Sequence, residues 1–177
     1  MKLSDFKIGI RLGAAFAVTL ALLMVVAGIG LVSIQATDAF IDDIVHDNVV
    51  KMDLVNEMSE QVHIVSRVLR TLVLLNEVEQ IKTEKQKIDD ARKKYDTAST
   101  ALNKMPASDT GKALRAKIEA ARGAARDVND RVVELAFVNK DAEALELLLK
   151  TAAPKVAAWQ AALDENGDLQ RKNNDEA

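Results

Sequence analysis

From Leu12 to Thr37 the chain carries no charged residue, and Leu12–Ile34 (LGAAFAVTLALLMVVAGIGLVSI) is strongly apolar. As a helix rising ~1.5 Å per residue, those 23 residues measure ~34 Å, slightly more than the ~30 Å hydrocarbon layer of a bilayer. The segment is therefore expected to be a transmembrane helix. Lys2, Lys7 and Arg11 precede it, and the next basic residue is Lys51. The positive-inside rule then puts residues 1–11 in the cytoplasm of a bacterial inner-membrane protein and residues 35–177 in the periplasm. A cleaved signal peptide is the alternative, but its apolar core would be 7–15 residues long and end at a small-x-small site. This run is longer and passes directly into helical patterning, which favours a retained anchor. Gly9, Gly13, Ala17 and Ala21 fall four apart, a face of small residues that lets two such helices approach closely.

Beyond the anchor, only a helical fold suits the composition. Seven Gly and two Pro leave few breakers, aromatics are 3% of the chain and charged residues 29%; a sandwich or barrel would need more aromatics and turns. With no cysteine there is no disulfide, zinc–thiolate cluster or thiol nucleophile.

Apolar residues continue past the anchor at helical spacing: Ile41, Ile44 or Val45, Val49, Met52, Val55, Met58, Val62, Val65, Leu69 and Leu72. One helix is predicted from Leu12 to about Leu75, ended by Asn76. In the second segment Ile81, Ile88, Tyr95 and Leu102 recur every seven residues, as do Ala91, Ala98 and Met105, and only Glu84 interrupts the seam. Pro106–Gly111 gathers turn residues. The third segment repeats the pattern with Leu114, Ala121, Val128 and Leu135 in one series and Ile118, Ala125 and Val132 in the other. Asn139-Lys140-Asp141 reads as a tight turn with Asp141 capping the fourth helix, in which Leu145, Leu149, Ala152, Val156, Trp159 and Leu163 carry the seam. Pro154 within it predicts a kink or a lost hydrogen bond. The sum is all-α: a transmembrane helix continuing into an antiparallel up-down-up-down four-helix bundle. From its upper turn the fourth helix needs about 40 residues to return to the membrane, and Ala177 lies close to that point. The chain thus reads as the front half of a receptor or a short relative of one.

Three stretches carry a resemblance: Lys7-Ile-Gly-Ile-Arg-Leu-Gly-Ala-Ala-Phe16, then Asn48-Val-Val with Ser66-Arg-Val-Leu-Arg70, and Asn139-Lys-Asp-Ala-Glu-Ala-Leu145 followed by Pro154 and Trp159. Together they resemble the four-helix-bundle ligand domain of bacterial methyl-accepting chemotaxis receptors. The departure is large: the second span, the HAMP linker and the methylated cytoplasmic hairpin of those receptors have no counterpart here. The resemblance implies a periplasmic sensor domain of a chemotaxis transducer. Such a domain binds a small ligand, often an organic acid or amino acid held by arginines far from the membrane, and passes a helix displacement across it. Arginine suits the task because its planar fork meets a carboxylate bidentately and keeps its proton.

Two clusters are candidates for such a site. Arg67 and Arg70, three apart on the otherwise apolar upper half of the first helix, can face one groove, with Lys85 and Arg131 at similar height; pairing with Glu77 or Glu134 is the alternative use of the two arginines. Lower down, Arg122 and Arg126 flank Ala121 and Ala125, where small residues leave room. Tyr95 and Trp159 lie near that layer, and Thr151 offers a hydroxyl from the fourth helix. An aromatic and two arginines beside alanines suit a pocket for a carboxylate, although a rim tyrosine and solvated arginines would look the same in sequence.

Residues 35–177 carry 21 basic and 26 acidic residues, a net charge of −5, which disfavours nucleic acid. His46 and His63 stand ~25 Å apart along one helix and cannot share a metal there; no metal or other cofactor is expected. No phosphate loop, GxSxG elbow or HExxH occurs, so catalysis has no candidate. Two rival functions stay open: the sensor of a histidine kinase or cyclase receptor, and an anchored structural or adaptor bundle that binds a protein. A signalling role through a single span needs a homodimer or another partner, and Ile64, Val68 and Leu74 are the apolar residues on the first helix that would serve that interface.

Overall fold

The computed structural model describes residues 12–13, 16–17, 19–29 and 48–176, and the side chains of these up to residue 173. The chain divides into two units, Met1–Asp43 and Ile44–Ala177. In the first, the described residues are helical and their large side chains, such as Phe16, Leu22 and Val26, are exposed. Among the described residues no helix is long and apolar enough to cross a membrane; residues 14, 15, 18 and 30–34 of the expected span, and the rest of 30–47 with His46, lie outside them.

The regular elements among the second unit's described residues are all helical: α1 (Val50–Leu72), α2 (Val78–Lys104), α3 (Asp109–Phe137), α4 (Asp141–Leu147), a π-helical stretch (Leu148–Ala152) and α5 (Ala153–Glu176). The last three run on from one another as the fourth member of a four-helix bundle. Its core follows the seams read from spacing: Val55, Met58, Val62, Val65, Leu69 and Leu72 are buried on α1, and Ile81, Ile88, Ala91, Tyr95, Ala98 and Leu102 on α2. Val68, expected at a dimer face, is buried within the chain, and Ile64 packs against the core, leaving Leu74 as the exposed member of that trio.

The helix ends have local causes. α1 stops at Leu72, three residues before the expected end, because Leu74 and Leu75 turn back to bond the Thr71 and Leu72 carbonyls at 3.0 and 3.2 Å. α3 begins earlier than the turn residues suggest. Ser108 is its N-cap, accepting from the Gly111 N–H at 3.2 Å, so Gly111 lies inside the first turn, where a Cβ would stand 3.3 Å from Ala107. At the other end Asn139 takes φ 55°, and the Asn139 and Lys140 N–H groups bond the Ala136 and Leu135 carbonyls at 3.1 and 3.0 Å. That is a Schellman ending with asparagine in the left-handed position. Asp141 is not the cap: Lys140 holds the N-cap position, and Asp141 is the first helical residue, where its charge favours the helix N-terminus.

Pro154 neither breaks nor ends the fourth helix. A proline has no N–H for the carbonyl four residues back and crowds it; the turn before it widens to π geometry, with the Ala153 N–H donating to the Leu148 carbonyl five residues away. The wide turn takes up one extra residue and shifts the phase above it. Hence Ala144 and Leu148 are buried, whereas Leu145 and Leu149, expected in the seam, are 42% and 63% exposed. Below the turn, Val156, Trp159 and Leu163 are buried as expected.

Leu163 lies wholly in the core, so Leu163→Ala should cost ~2–5 kcal/mol, while Leu149→Ala should change stability by no more than ~0.5 kcal/mol. Denaturation of the full chain in detergent measures both; equal costs would contradict the phase shift.

Candidate functional site

The bundle core is not continuous. An upper apolar cluster (Val65, Leu69, Leu72, Ile81, Ile88, Val132 and neighbours) and a lower one (Met58, Val62, Tyr95, Leu102, Ile118, Leu163 and neighbours) are separate. Where they meet, a cavity is lined by Gln61 and Val65 of α1, Ala91, Arg92, Tyr95 and Asp96 of α2, Arg122, Arg126 and Asn129 of α3, and Trp159 of α5. All four members of the bundle supply residues except the part above the π turn. The space for the centre of a water-sized guest is about 20 Å³, room for roughly one water.

The floor is aromatic. Trp159 Nε1–H donates to the Tyr95 hydroxyl at 3.0 Å, and the rings meet edge-on with centroids 4.9 Å apart. The Arg122 guanidinium lies 5.0 Å from the centre of the Tyr95 ring, a cation–π contact. Burial raises the Tyr95 hydroxyl pKa well above the ordinary tyrosine range; the Trp159 bond and Arg122 oppose this, while the Glu119 and Asp96 charges add to it.

The wall facing α2 and α3 is ionic. These two helices approach closely at few positions, and side chains bridge the seam. Arg92 pairs with Asp130 at 2.5 Å, Arg122 pairs with Asp96 and with Glu119, and the Ser99 hydroxyl donates to Glu119 at 3.2 Å. Arg122, expected to hold a carboxylate from a ligand, is therefore already neutralised within the fold. Arg126 also lines the cavity but is exposed and has no ion pair among the described residues.

Two cavity residues were not foreseen. Gln61 is 3% and Asn129 1% exposed, and the Gln61 Oε1 and Asn129 Oδ1 atoms have no hydrogen-bond partner among the described residues. Each stands beside an apolar neighbour at a seam-like spacing, so the available signal was a polar residue at an inward position of a heptad. Of the lower candidates, Tyr95, Arg122 and Arg126 converge on the cavity. Thr151 does not: it lies in the π turn, above it. Arg67 and Arg70 stand exposed on α1, and neither is in an ion pair among the described residues. Glu134, one suggested partner, binds Arg131 at 2.8 Å, and Lys85 pairs with Asp89. Among the described residues no three His, Asp or Glu side chains group as a metal site would require.

A family profile described as a four-helix-bundle sensory module for signal transduction matches residues 5–177. Among solved structures, the fold is similar to one titled periplasmic sensor domain of a sensor histidine kinase, with a TM-score of 0.61 at 17% identity, over 71% of this chain and 84% of that one. A comparison with curated proteins finds no match.

Tyr95 allows a pH test. Its phenol stays neutral in the fold, whereas in the unfolded chain it ionises near pH ~10. Its contribution is whole below that pH and is lost as pH rises, by up to ~1.4 kcal/mol per unit. Denaturation between pH 9 and 11.5 should show a steeper loss for the wild type than for Tyr95→Phe; parallel curves would mean the hydroxyl ionises freely in the fold.

Proposed function

The chain belongs to the family of four-helix-bundle sensory modules for signal transduction, and on that premise we propose that it senses a small carboxylate-bearing solute in the cavity between the two core clusters. A sensory module needs a place where a solute can change the balance between two packings. The observation that carries the reading is Arg126, a guanidinium unpaired among the described residues and beside a buried cavity whose other arginines are neutralised. In this reading the module stands outside the cytoplasm, anchored by the apolar run at 12–34, as the extracytoplasmic part of a chemotaxis transducer. Support for that topology comes from Lys2, Lys7 and Arg11 before the run and the absence of basic residues from there to Lys51.

The mechanical step follows from the cavity's walls. Trp159 belongs to α5, the helix that runs on toward Glu176, and Tyr95 holds its indole. A solute that enlarges the cavity has to move Trp159 or separate α2 from α3, where close contact is sparse. Either shift moves α5 against α1, and transmission to the membrane would use that displacement. The same module in front of a histidine kinase or cyclase would work alike.

A second reading has its own observation. Arg67 and Arg70 are exposed and unpaired among the described residues, which suits a site completed by a second copy in a homodimer. An adaptor role, with a protein as ligand, is the remaining alternative.

Thermal melting of the full chain in detergent against a panel of small organic acids and amino acids tests these readings. A compound at a hundred times its dissociation constant should add ~2.7 kcal/mol of stability. Arg126→Ala should abolish that gain and the double variant Arg67→Ala/Arg70→Ala should keep it. The reverse pattern would move the site to the upper arginines, and no gain with any compound would favour the adaptor.

A further inference from the structure

Resting on that cavity as the ligand site, we infer that Gln61 and Asn129 determine its specificity, and that they select a carboxylate with a hydrogen-bond donor on the adjacent carbon, an α-hydroxy or α-amino acid, over a plain carboxylate.

The orientation of Gln61 is the starting point. Its Nε2 donates to Glu57 Oε1 at 2.7 Å. An ionised carboxylate only accepts hydrogen bonds, so turning the amide over would set oxygen against oxygen. Glu57 therefore fixes Oε1 on the other side, where it is buried and without a partner. Asn129 Oδ1 is buried and without a partner as well, and both residues line one cavity. The site thus holds two acceptors with nothing to accept from.

Three of the donor groups around them are occupied. The Trp159 N–H serves Tyr95, and the Arg92 and Arg122 guanidinium groups serve Asp130, Asp96 and Glu119. Arg126 remains for an anion. A carboxylate alone meets Arg126 and leaves both amide oxygens desolvated, whereas on the adjacent carbon a hydroxyl supplies a donor for one of them and an ammonium supplies donors for both. A site with buried polar groups discriminates strongly against an analogue that leaves them unpaired. The space as it stands holds roughly one water, so a ligand has to enlarge it, and the smallest acids, of two or three carbons with the two functions on neighbouring carbons, need the least opening.

Glycolate, glycine and acetate form the decisive set, since they differ in the donor at one position. Titration calorimetry on the full chain in detergent should give glycolate or glycine binding at least about tenfold tighter than acetate. Gln61→Met and Asn129→Leu, apolar replacements of similar size, should each lower that ratio and together bring it close to one. Two variants on different helices guard against one failing to fold. Equal binding of acetate and glycolate to the wild type, both lost in Arg126→Ala, would overturn the donor requirement and leave the sensory cavity standing. Binding of none of the three, with both apolar variants melting higher than the wild type, would mean that the amides hold only water, and both readings would fall.

Discussion

The structure depends on the burial of four amphipathic seams against one another. None of the helices has another place to put its apolar stripe, and burying one such side chain is worth ~1.5–3 kcal/mol. Helix formation follows, because most helical stability in a bundle comes from packing of the apolar face rather than from propensity. The seams also set which faces are left to do something else. Where α1 and α3 place amides inward, the apolar core divides into upper and lower clusters, and the cavity occupies the join. The candidate site is thus a break in the constraint that makes the fold.

That break is held open by polar and ionic side chains. α2 meets α3 through Arg92–Asp130 and Arg122–Asp96, pairs with one or both partners partly exposed. Such pairs contribute only ~0–1 kcal/mol each, so this side of the bundle resists separation less than the apolar sides do. The aromatic floor is stiffer, because Tyr95 and Trp159 are buried, hydrogen-bonded and in edge contact. A cavity with a stiff floor and one weakly latched wall has a preferred direction in which to give.

Most of the fold was legible in the sequence because heptad spacing is read residue by residue. Ile81, Ile88, Tyr95 and Leu102, or Ile118, Ala125 and Val132, are buried as their spacing says. Legibility failed where geometry left the standard helix. The π turn before Pro154 absorbs one residue, so counting back from Ala152 in steps of three and four reaches Leu149 and Leu145 instead of Leu148 and Ala144. At the site, Tyr95, Arg122, Arg126 and Trp159 were legible as neighbours through their height along the bundle. Spacing does not say which carboxylate an arginine meets, and Arg122 turned out to be occupied by Asp96 and Glu119. Gln61 and Asn129 escaped notice because a lone polar residue inside a heptad looks like any flanking position until burial is known.

Those two amides also bear on the choice between sensing and scaffolding. A buried acceptor without a partner costs ~1–3 kcal/mol, and an apolar residue of similar shape at the same place would relieve it. An adaptor that only has to keep its shape gains nothing from carrying two such groups around one cavity. A sensor does gain, since the same unpaired oxygens that weaken the empty bundle make an incoming donor worth more. The cost falls on the state without solute and is removed in the state with it, which is the differential free energy that any ligand-driven shift between two packings requires. A polar join between two apolar clusters is therefore more readily understood as a place for something to bind than as a flaw in a scaffold.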